Sequence, residues 1–186
     1  MFIEETTASY RLFFALWPDE AALERIVEVR GRLSREVQGR WIRPENLHVT
    51  LAFLGAVEVD RLPIVRQVAA ATFGEPLELT LDRLDWWRQA QVLCLTAGRT
   101  PEGLRRLVTS LSQGLAQEGF VLDKRPFRVH MTLARKVRQR PQLANLEQSI
   151  VLKITEFSLV RSCSAAAGSS YTKLNVWPLR EADPAT

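Results

Sequence analysis

The feature that most constrains this sequence is a repeated pattern, His-x-Thr-Leu, that contains every histidine in the chain. The first copy lies in LHVTLAFLG, Leu47 to Gly55, and the second lies in VHMTLAR, Val129 to Arg135. The chain has only 2 histidines in 186 residues, and they are His48 and His130. A scarce residue type confined to two matched segments indicates an internal duplication.

Each copy of the pattern closes a segment that fits a strand, a helix and a second strand. RLFFALW and LHVTL frame a helix that starts after Pro18-Asp19 and is expected to end near Gly39. QVLCLTA and VHMTL frame another helix, which starts at Thr100-Pro101 and ends at Gly119. A duplicated β-α-β plan with a pseudo-two-fold axis would bring the two His-x-Thr faces together across a cleft.

Strand alternation predicts which side chains of the first copy face that cleft. His48 and Thr50 share one face of the strand, and Val49 and Leu51 share the other. Phe53 is in phase with the apolar set, so it is expected in the core. Its closeness to the motif leaves a contact with a nucleobase open as the alternative.

In the second copy the histidine and threonine again share one face of the strand, but an arginine follows the motif. His130 and Thr132 share a face, and Arg135 follows as the candidate for holding a phosphate. By strict alternation Arg135 is out of phase with His130. The strand must therefore end or bulge near Arg135 if this side chain is to reach the cleft.

Two facing imidazoles suit acid-base chemistry on a phosphate. An unperturbed histidine has a pKa of about 6.5, so one ring can be neutral while the other is protonated. In-line displacement at phosphorus needs proton removal on one side and proton delivery on the other, and two histidines supply both without a metal. The hydroxyls of Thr50 and Thr132 can donate to the non-bridging oxygens.

Composition narrows the partner and the chemistry. Lys and Arg number 25 against 21 Asp and Glu, and the resulting charge of +4 favours an anionic partner such as a nucleic acid or a nucleotide phosphate. Cys94 and Cys163 show no metal-ligand or disulfide-framework spacing, and two histidines alone make a poor zinc site. We therefore expect no metal, no other cofactor and reduced thiols in a cytoplasmic protein.

Length and hydropathy predict one soluble domain. A chain of 186 residues that is 46% hydrophobic can bury a core of its own. The N-terminus lacks the basic and apolar regions of a signal peptide, and no apolar run approaches the roughly 18 residues of a membrane span. A monomer without membrane association is expected.

Four segments together resemble a known family. They are RLFFALWP, RPENLHVTLAFLG, RPFRVHMTLAR, and a closing serine-rich segment with Gly168, Tyr171 and WPL. The sequence is similar to the bacterial and archaeal RNA 2′,3′-cyclic phosphodiesterases, also called 2′-5′ RNA ligases, of the two-histidine phosphoesterase superfamily. The resemblance covers nearly the whole chain, and two such motifs in this context are highly specific.

This resemblance implies an α+β fold: a bilobal two-histidine phosphoesterase with duplicated β-α-β units and antiparallel sheets around a central cleft. It implies a single domain over residues 1–180, and the last residues, 181–186, are expected to be a disordered tail. The activity it implies is metal-independent hydrolysis of RNA 2′,3′-cyclic phosphate ends to a 2′-phosphate.

The roles of the site residues also follow from the resemblance, because spacing cannot tell the acid from the base. His48 would donate a proton to the departing 3′ oxygen, and His130 would accept a proton from the attacking water. Thr50, Thr132 and Arg135 would bind the phosphate.

Two further functions stay open at this stage. RNA ligation that forms a 2′-5′ linkage uses the same residues, with a 5′-hydroxyl in place of water. A non-catalytic nucleotide or RNA-binding module would keep the cleft without turnover. The substrate could be a tRNA fragment, another RNA end or a small cyclic nucleotide. Trp41 and Phe53 are the candidate nucleobase contacts; packing is at least as well supported for Trp41, and a core position is the expectation for Phe53.

Overall fold

A computed structural model of the chain describes residues 8–142, 146, 148–165 and 168–180. Its strands are β1 (Ser9–Leu16), β2 (Arg40–Trp41), β3 (Val49–Glu58), β4 (Leu77–Leu81), β5 (Arg83–Trp87), β6 (Val92–Thr96), β7 (His130–Arg135), β8 (Ile150–Ile154), β9 (Glu156–Ala165) and β10 (Gly168–Pro178). Its helices are α1 (Glu20–Leu33), α2 (Leu62–Ala71) and α3 (Glu102–Gln117), and short 3-10 turns span Pro44–Asn46 and Val59–Arg61. The predicted tail at 181–186 lies outside the described residues.

Helix α1 begins where the sequence predicts and ends earlier. The Asp19 side chain caps its first turn by accepting from the Ala22 amide at 3.1 Å. The helix ends at Ser34 rather than near Gly39, so that expectation was wrong. Gly39 instead lies against the second half of the molecule: a Cβ built there would be 2.9 Å from Val137 Cγ2. Close packing explains this glycine better than a helix end does.

One large antiparallel sheet carries both halves of the chain. Its strand order is β10-β9-β1-β3-β7-β6-β5, with β2 paired beside β7, while β4 and β8 form a separate pair. Strands β3 and β7 meet through a single register pair, Val49 opposite Met131. Val49 immediately follows His48, and Met131 immediately precedes Thr132. The junction between the halves therefore lies at the two motifs.

The predicted duplication is confirmed by the topology. In the first half, β1 and β3 pair antiparallel with α1 between them in the chain. In the second half, β6 and β7 pair antiparallel with α3 between them. The fold is therefore the expected α+β arrangement of repeated β-α-β units with antiparallel strands.

The main core lies on the sheet face opposite the motif side chains. Helix α3 buries a helically spaced set of apolar residues there: Leu104, Leu107, Val108, Leu111 and Leu115. Strand residues between the motif positions, such as Val49 and Met131, join the same core. Full burial of one such side chain contributes about 1.5–3 kcal/mol. In the described part of the chain, no helix is long and apolar enough to span a membrane.

Candidate active site

A β-bulge in β7 decides where Arg135 points. Thr132 pairs with Cys94 and Ala134 pairs with Leu93, so Leu133 between them has no register partner on β6. The extra residue shifts the alternation by one position. Arg135 therefore returns to the face that carries Thr132, and its side chain reaches the cleft.

Strand β3 has a bulge at the matching place. Thr50 pairs with Ala15 and Ala52 pairs with Phe14, which leaves Leu51 without a register partner on β1. The shift turns Phe53 away from the core to the face that carries Thr50. Its side chain is 42% exposed, so the expectation of a core position for Phe53 was wrong. Strict alternation fails here because the bulge inserts one residue.

The structure gathers five of the seven predicted site residues around one cleft. Its lining consists of Ile42, Asn46, His48, Thr50, His130, Thr132, Arg135 and Tyr171. Phe53 lies on the same sheet face, and its register partner Phe13 packs against the His48 ring, but Phe53 does not line the cleft itself.

His48 is held by two hydrogen bonds and three aromatic rings. Its Nδ1 donates to the Asn46 carbonyl oxygen at 2.7 Å, and its Nε2 lies 3.1 Å from the Thr50 hydroxyl. A carbonyl oxygen can only accept, so Nδ1 carries the proton and Nε2 of the neutral ring is basic. Phe13, Trp17 and Tyr171 surround the ring, with centroids 5.0, 5.4 and 5.2 Å away.

His130 has the same backbone arrangement in a more open setting. Its Nδ1 donates to the carbonyl oxygen of Arg128 at 2.9 Å, again two residues earlier in the chain. The neutral ring therefore also presents a basic Nε2. One ring packs on it: Trp87, with centroids 4.8 Å apart. Both halves thus orient the imidazole with a hydrogen bond from Nδ1 to the carbonyl oxygen two residues earlier.

Burial and neighbouring positive charge lower the pKa of both imidazoles. Burial lowers the pKa of His48 to about 4, helped by the charges of His130 and Arg135, while the Asn46 carbonyl opposes the shift. Burial also lowers the pKa of His130, and Arg135, Arg128 and Arg125 add to this effect against the Arg128 carbonyl. Both lowered pKa values favour the neutral imidazoles, with Nε2 free to accept a proton.

The threonine of the second motif has a thiol neighbour that takes no part in acid-base chemistry. Cys94 Sγ donates to the Thr132 hydroxyl oxygen at 3.9 Å, and Cys94 is fully buried. Burial raises the pKa of this thiol to about 12. A thiol that stays protonated is neither a nucleophile nor a metal ligand.

A larger groove between α2 and α3 lacks a comparable set of groups. Its volume is about 770 Å³ against about 360 Å³ at the histidines. Its lining residues are Ile64, Gln67, Val68, Ala71, Thr72, Ser110, Gln113, Gly114, Gln117 and Glu118. Glu118 is the one carboxylate among them. Within the described ranges, no group of three or more His, Cys, Asp or Glu side chains could hold a metal ion.

Comparison with known families agrees with the duplicated site. The family described as LigT like Phosphoesterase matches the chain over residues 16–93 and again over residues 96–169. The chain belongs to the LigT-like phosphoesterase family. Each matched segment contains one His-x-Thr motif of the cleft.

Individual LigT-like relatives match almost end to end. The chain is 31% identical to the RNA 2′,3′-cyclic phosphodiesterase of Escherichia coli (strain K12), over 92% of this chain and 97% of that protein. It is 27% identical to the protein of the same name from Archaeoglobus fulgidus, over 90% and 99%. The crystal structure of E. coli LigT complexed with 3′-AMP has a TM-score of 0.86 at 30% identity, covering 94% and 100%.

Trp41 does not lie with the other predicted residues of this LigT-like site. It pairs with Ala134, which lies on the sheet face opposite Thr132 and Arg135. Its indole N–H donates to the Val37 carbonyl oxygen at 3.3 Å, and its ring packs against a small apolar cluster. The structure thus places Trp41 in a packing role.

Sequence reasoning missed several residues that shape the LigT-like cleft. Tyr171 was noted only as part of the closing segment, yet it lines the cleft and meets the His48 ring edge-on. Asn46 is buried, and its amide donates to the Ser169 carbonyl oxygen at 2.9 Å. Trp17, just after β1, packs on His48, and Trp87 of β5, which the sequence offered as either a base-stacking or a packing residue, packs on His130. No local pattern could have found these contacts, because the partners are distant in sequence.

Proposed function

We propose that this chain hydrolyses RNA 2′,3′-cyclic phosphate ends to 2′-phosphates by metal-independent acid-base catalysis with two histidines. One observation carries the proposal: a single cleft contains two imidazoles, two hydroxyls and one guanidinium, arranged by repeated strands. This set can move two protons and bind an anion. Its LigT-like relatives are named for this activity.

In the proposed reaction, His130 takes a proton from water as the water oxygen attacks phosphorus. The bond between phosphorus and the 3′ oxygen breaks, and His48 delivers a proton to that oxygen. The neutral tautomer of His130, with Nδ1–H donating to the Arg128 carbonyl oxygen, supports a basic Nε2 for the first step. Hydroxyls of Thr50 and Thr132 donate to the non-bridging oxygens.

Arg135 is proposed to bind the same oxygens, where negative charge accumulates in the transition state. Its place on the cleft face supports this role, because the Leu133 bulge aligns it with Thr132. A guanidinium can donate two parallel hydrogen bonds to a phosphate, which a hydroxyl cannot.

His48 must hold a proton before it can act as the acid, and burial opposes this by lowering its pKa. A bound phosphate brings a negative charge next to the ring and favours its protonated form. Substrate binding is therefore proposed to supply the condition that the free protein lacks.

The test is turnover of an oligonucleotide that ends in a 2′,3′-cyclic phosphate, measured in EDTA with analysis of the product. His48→Ala and His130→Ala are each expected to abolish turnover, and the wild-type product is expected to be the 2′-phosphate. Circular dichroism of each variant provides the folding control. Near-normal turnover by either variant, or loss of wild-type turnover in EDTA, would contradict the proposal.

The same experiment separates the two alternatives. A non-catalytic binding module would bind the cyclic phosphate end and release no product. Ligation would join an added strand that has a 5′-hydroxyl through a 2′-5′ linkage, with the same two histidines. Assaying tRNA halves, other RNA ends and small cyclic nucleotides side by side would rank the substrates.

We also propose that residues 1–180 form one bilobal domain that acts as a monomer in the cytoplasm. The sheet that joins both halves supports a single domain. Two free cysteines, buried Cys94 and exposed Cys163, fit a reducing compartment. Light scattering of the purified protein would test the monomer, since a dimer would double the measured mass.

A further inference from the structure

Asp85 connects several groups around His130 without lining the cleft. Its Oδ2 accepts from the Thr96 hydroxyl at 3.0 Å and from Arg128 Nη2 at 2.6 Å. The Asp85 side chain is 31% exposed and the Arg128 side chain 63%, so the carboxylate is the better shielded partner of this ion pair. Thr96 is buried and is the register partner of His130 on β6.

Arg128 contacts His130 through its backbone and contacts Trp87 through its side chain. Its carbonyl oxygen accepts the Nδ1 proton of His130, which sets the tautomer. Its guanidinium lies 5.2 Å from the Trp87 ring centroid, and Trp87 packs on the His130 ring. Asp85 therefore holds the guanidinium that covers the aromatic neighbour of His130.

The first half has an equivalent support with different chemistry. Asn46 offers its carbonyl oxygen to His48, and its side chain is anchored to the Ser169 carbonyl oxygen on β10. Arg128 stands in the same position, two residues before its histidine, and its side chain is anchored to Asp85 on β5. In both halves the residue that sets the tautomer is thus tied to a strand of the same sheet that is not adjacent to the strand of its motif.

The second half has more need of this anchor. His48 is enclosed by three rings, whereas His130 packs against Trp87 alone among the ring contacts of the described residues. The chain from 120 to 129, which leads into His130, forms no helix or strand. Val129 next to Arg128 is buried in the main core, whereas the Arg128 side chain is exposed and is held by its pair with Asp85.

We propose that Asp85 is a positioning residue for His130: through Arg128 and Thr96 it fixes the imidazole in the cleft and offsets the neighbouring guanidinium charge. This proposal rests on the proposed function, in which His130 moves a proton. Asp85 itself touches neither substrate nor the reacting atoms.

The charges around His130 predict the direction in which each substitution should shift its pKa. Arg135, Arg128 and Arg125 all lower the pKa of His130, and His48 faces it across the cleft. Because the Asp85 carboxylate is paired with Arg128, we expect it to oppose the effect of that guanidinium on His130. Loss of the carboxylate should lower the pKa of His130 further, and loss of the guanidinium should raise it.

The experiment is an NMR titration of the imidazole nitrogens, which the sequence makes simple because the chain has 2 histidines. Variants that lack one histidine assign the two signals. Asp85→Asn keeps an oxygen that can accept from Thr96, so it removes the charge with little change in shape. It should lower the midpoint of His130 by on the order of half a pH unit, with His48 nearly unchanged.

Two further variants test whether Asp85 acts on His130 through Arg128. Arg128→Gln should raise the His130 midpoint, and Asp85→Asn combined with Arg128→Gln should return it toward that of Arg128→Gln alone. Glu102→Gln is the matched control, since Glu102 pairs with Arg105 on α3. An unchanged His130 midpoint in Asp85→Asn, or equal shifts of both histidines, would overturn the proposal.

Steady-state kinetics test whether Asp85 orients the His130 ring. Asp85→Ala loses the anchor as well as the charge and should lower kcat by about tenfold with little change in KM, while Asp85→Asn should keep most of kcat at its own optimum. Equal losses in both variants would contradict a role in orientation. The NMR titration needs no turnover, so it can succeed even where the wild-type protein releases no product and the proposed function fails.

Discussion

Leu51 and Leu133 occupy equivalent positions in the two halves: each follows the threonine of its motif and lacks a register partner on the preceding strand of its unit. The two bulges bring the residue five positions after each histidine to the cleft face. That residue is Phe53 in the first half and Arg135 in the second. The same position thus holds a cation that lines the cleft in the second half, and an aromatic side chain on the same sheet face, outside the cleft lining, in the first.

Because Arg135 belongs to the second half, we expect stabilisation of the phosphate to depend on that half. Arg135→Ala should lower kcat on a small 2′,3′-cyclic nucleotide by about 10²–10³-fold, because a donor to developing charge is lost. The kcat of Arg135→Lys should lie between those of the wild type and Arg135→Ala, since lysine keeps the charge and loses the paired donors. Steady-state kinetics would measure both. Arg138→Ala, an exposed arginine that does not line the cleft, is the control, and an equal loss there would point to general electrostatic attraction.

The aromatic side chain predicts a nucleobase contact in the first half. Phe53→Ala should raise KM for a cyclic nucleotide by roughly 5- to 100-fold, because stacking on one aromatic ring contributes about 1–3 kcal/mol. KM for ribose 2′,3′-cyclic phosphate, which has no base, should stay the same. Phe73→Ala removes another exposed phenylalanine, after α2, as the matched control. Equal changes on both substrates would remove Phe53 from base recognition.

The lowered pKa values predict an acidic optimum for kcat/KM. Catalysis in the proposed roles needs a protonated His48 and a neutral His130. Burial lowers the pKa of His48 further, so the single proton lies mainly on His130 in the free protein, and the productive arrangement is a minor form whose population follows that of the singly protonated protein. The pKa of His48 is about 4, and that of His130 is below 6.5. Activity should therefore peak between these limits, fall tenfold per pH unit on the alkaline side, and fall again below about pH 4.

A pH-rate profile under kcat/KM conditions measures this directly. Far-UV circular dichroism across the same range controls for unfolding. A plateau extending above pH 7 would mean that burial does not lower the pKa of His130 in the free protein.

A modified leaving group separates the roles of the histidines. With sulfur in place of the departing 3′ oxygen, the leaving group is a thiolate and needs no proton from an acid. His48→Ala should then recover activity on the sulfur substrate relative to the oxygen substrate, and His130→Ala should not. Single-turnover rates on the two substrates give the comparison. The opposite pattern would make His48 the base and His130 the acid.

Two glycines predict opposite effects on stability. Gly39→Ala would place a Cβ 2.9 Å from Val137 Cγ2 and 3.1 Å from the Arg135 carbonyl oxygen, and should destabilise the fold by about 1–3 kcal/mol. Gly31→Ala in α1 meets nothing within 4 Å and should stabilise it by about 0.5–1 kcal/mol. Urea unfolding measures both free energies. A stabilising Gly39→Ala would show that the two halves do not pack tightly there.

Local sequence was enough to predict the repeated units and the pairing of the motifs. Apolar spacing located α1 and α3, and the shared His-x-Thr pattern predicted two faces of one cleft. These features depend on neighbours within a few residues, or on a repeat that can be read directly. The same local rules misplaced Phe53 and the end of α1, because a bulge and a close contact between halves decided them.

The sequence by itself therefore determined the fold class, the duplication and the chemical groups that meet in the cleft. Only the tertiary structure decided that Arg135 and Phe53 share the cleft face, that Trp41 turns away from it, and that Asp85 supports His130. The reason is physical: alternation and helical period act over a few residues. Bulges, ring packing and ion pairs instead depend on strands such as β5 and β7, whose contacts exist only once the chain has folded.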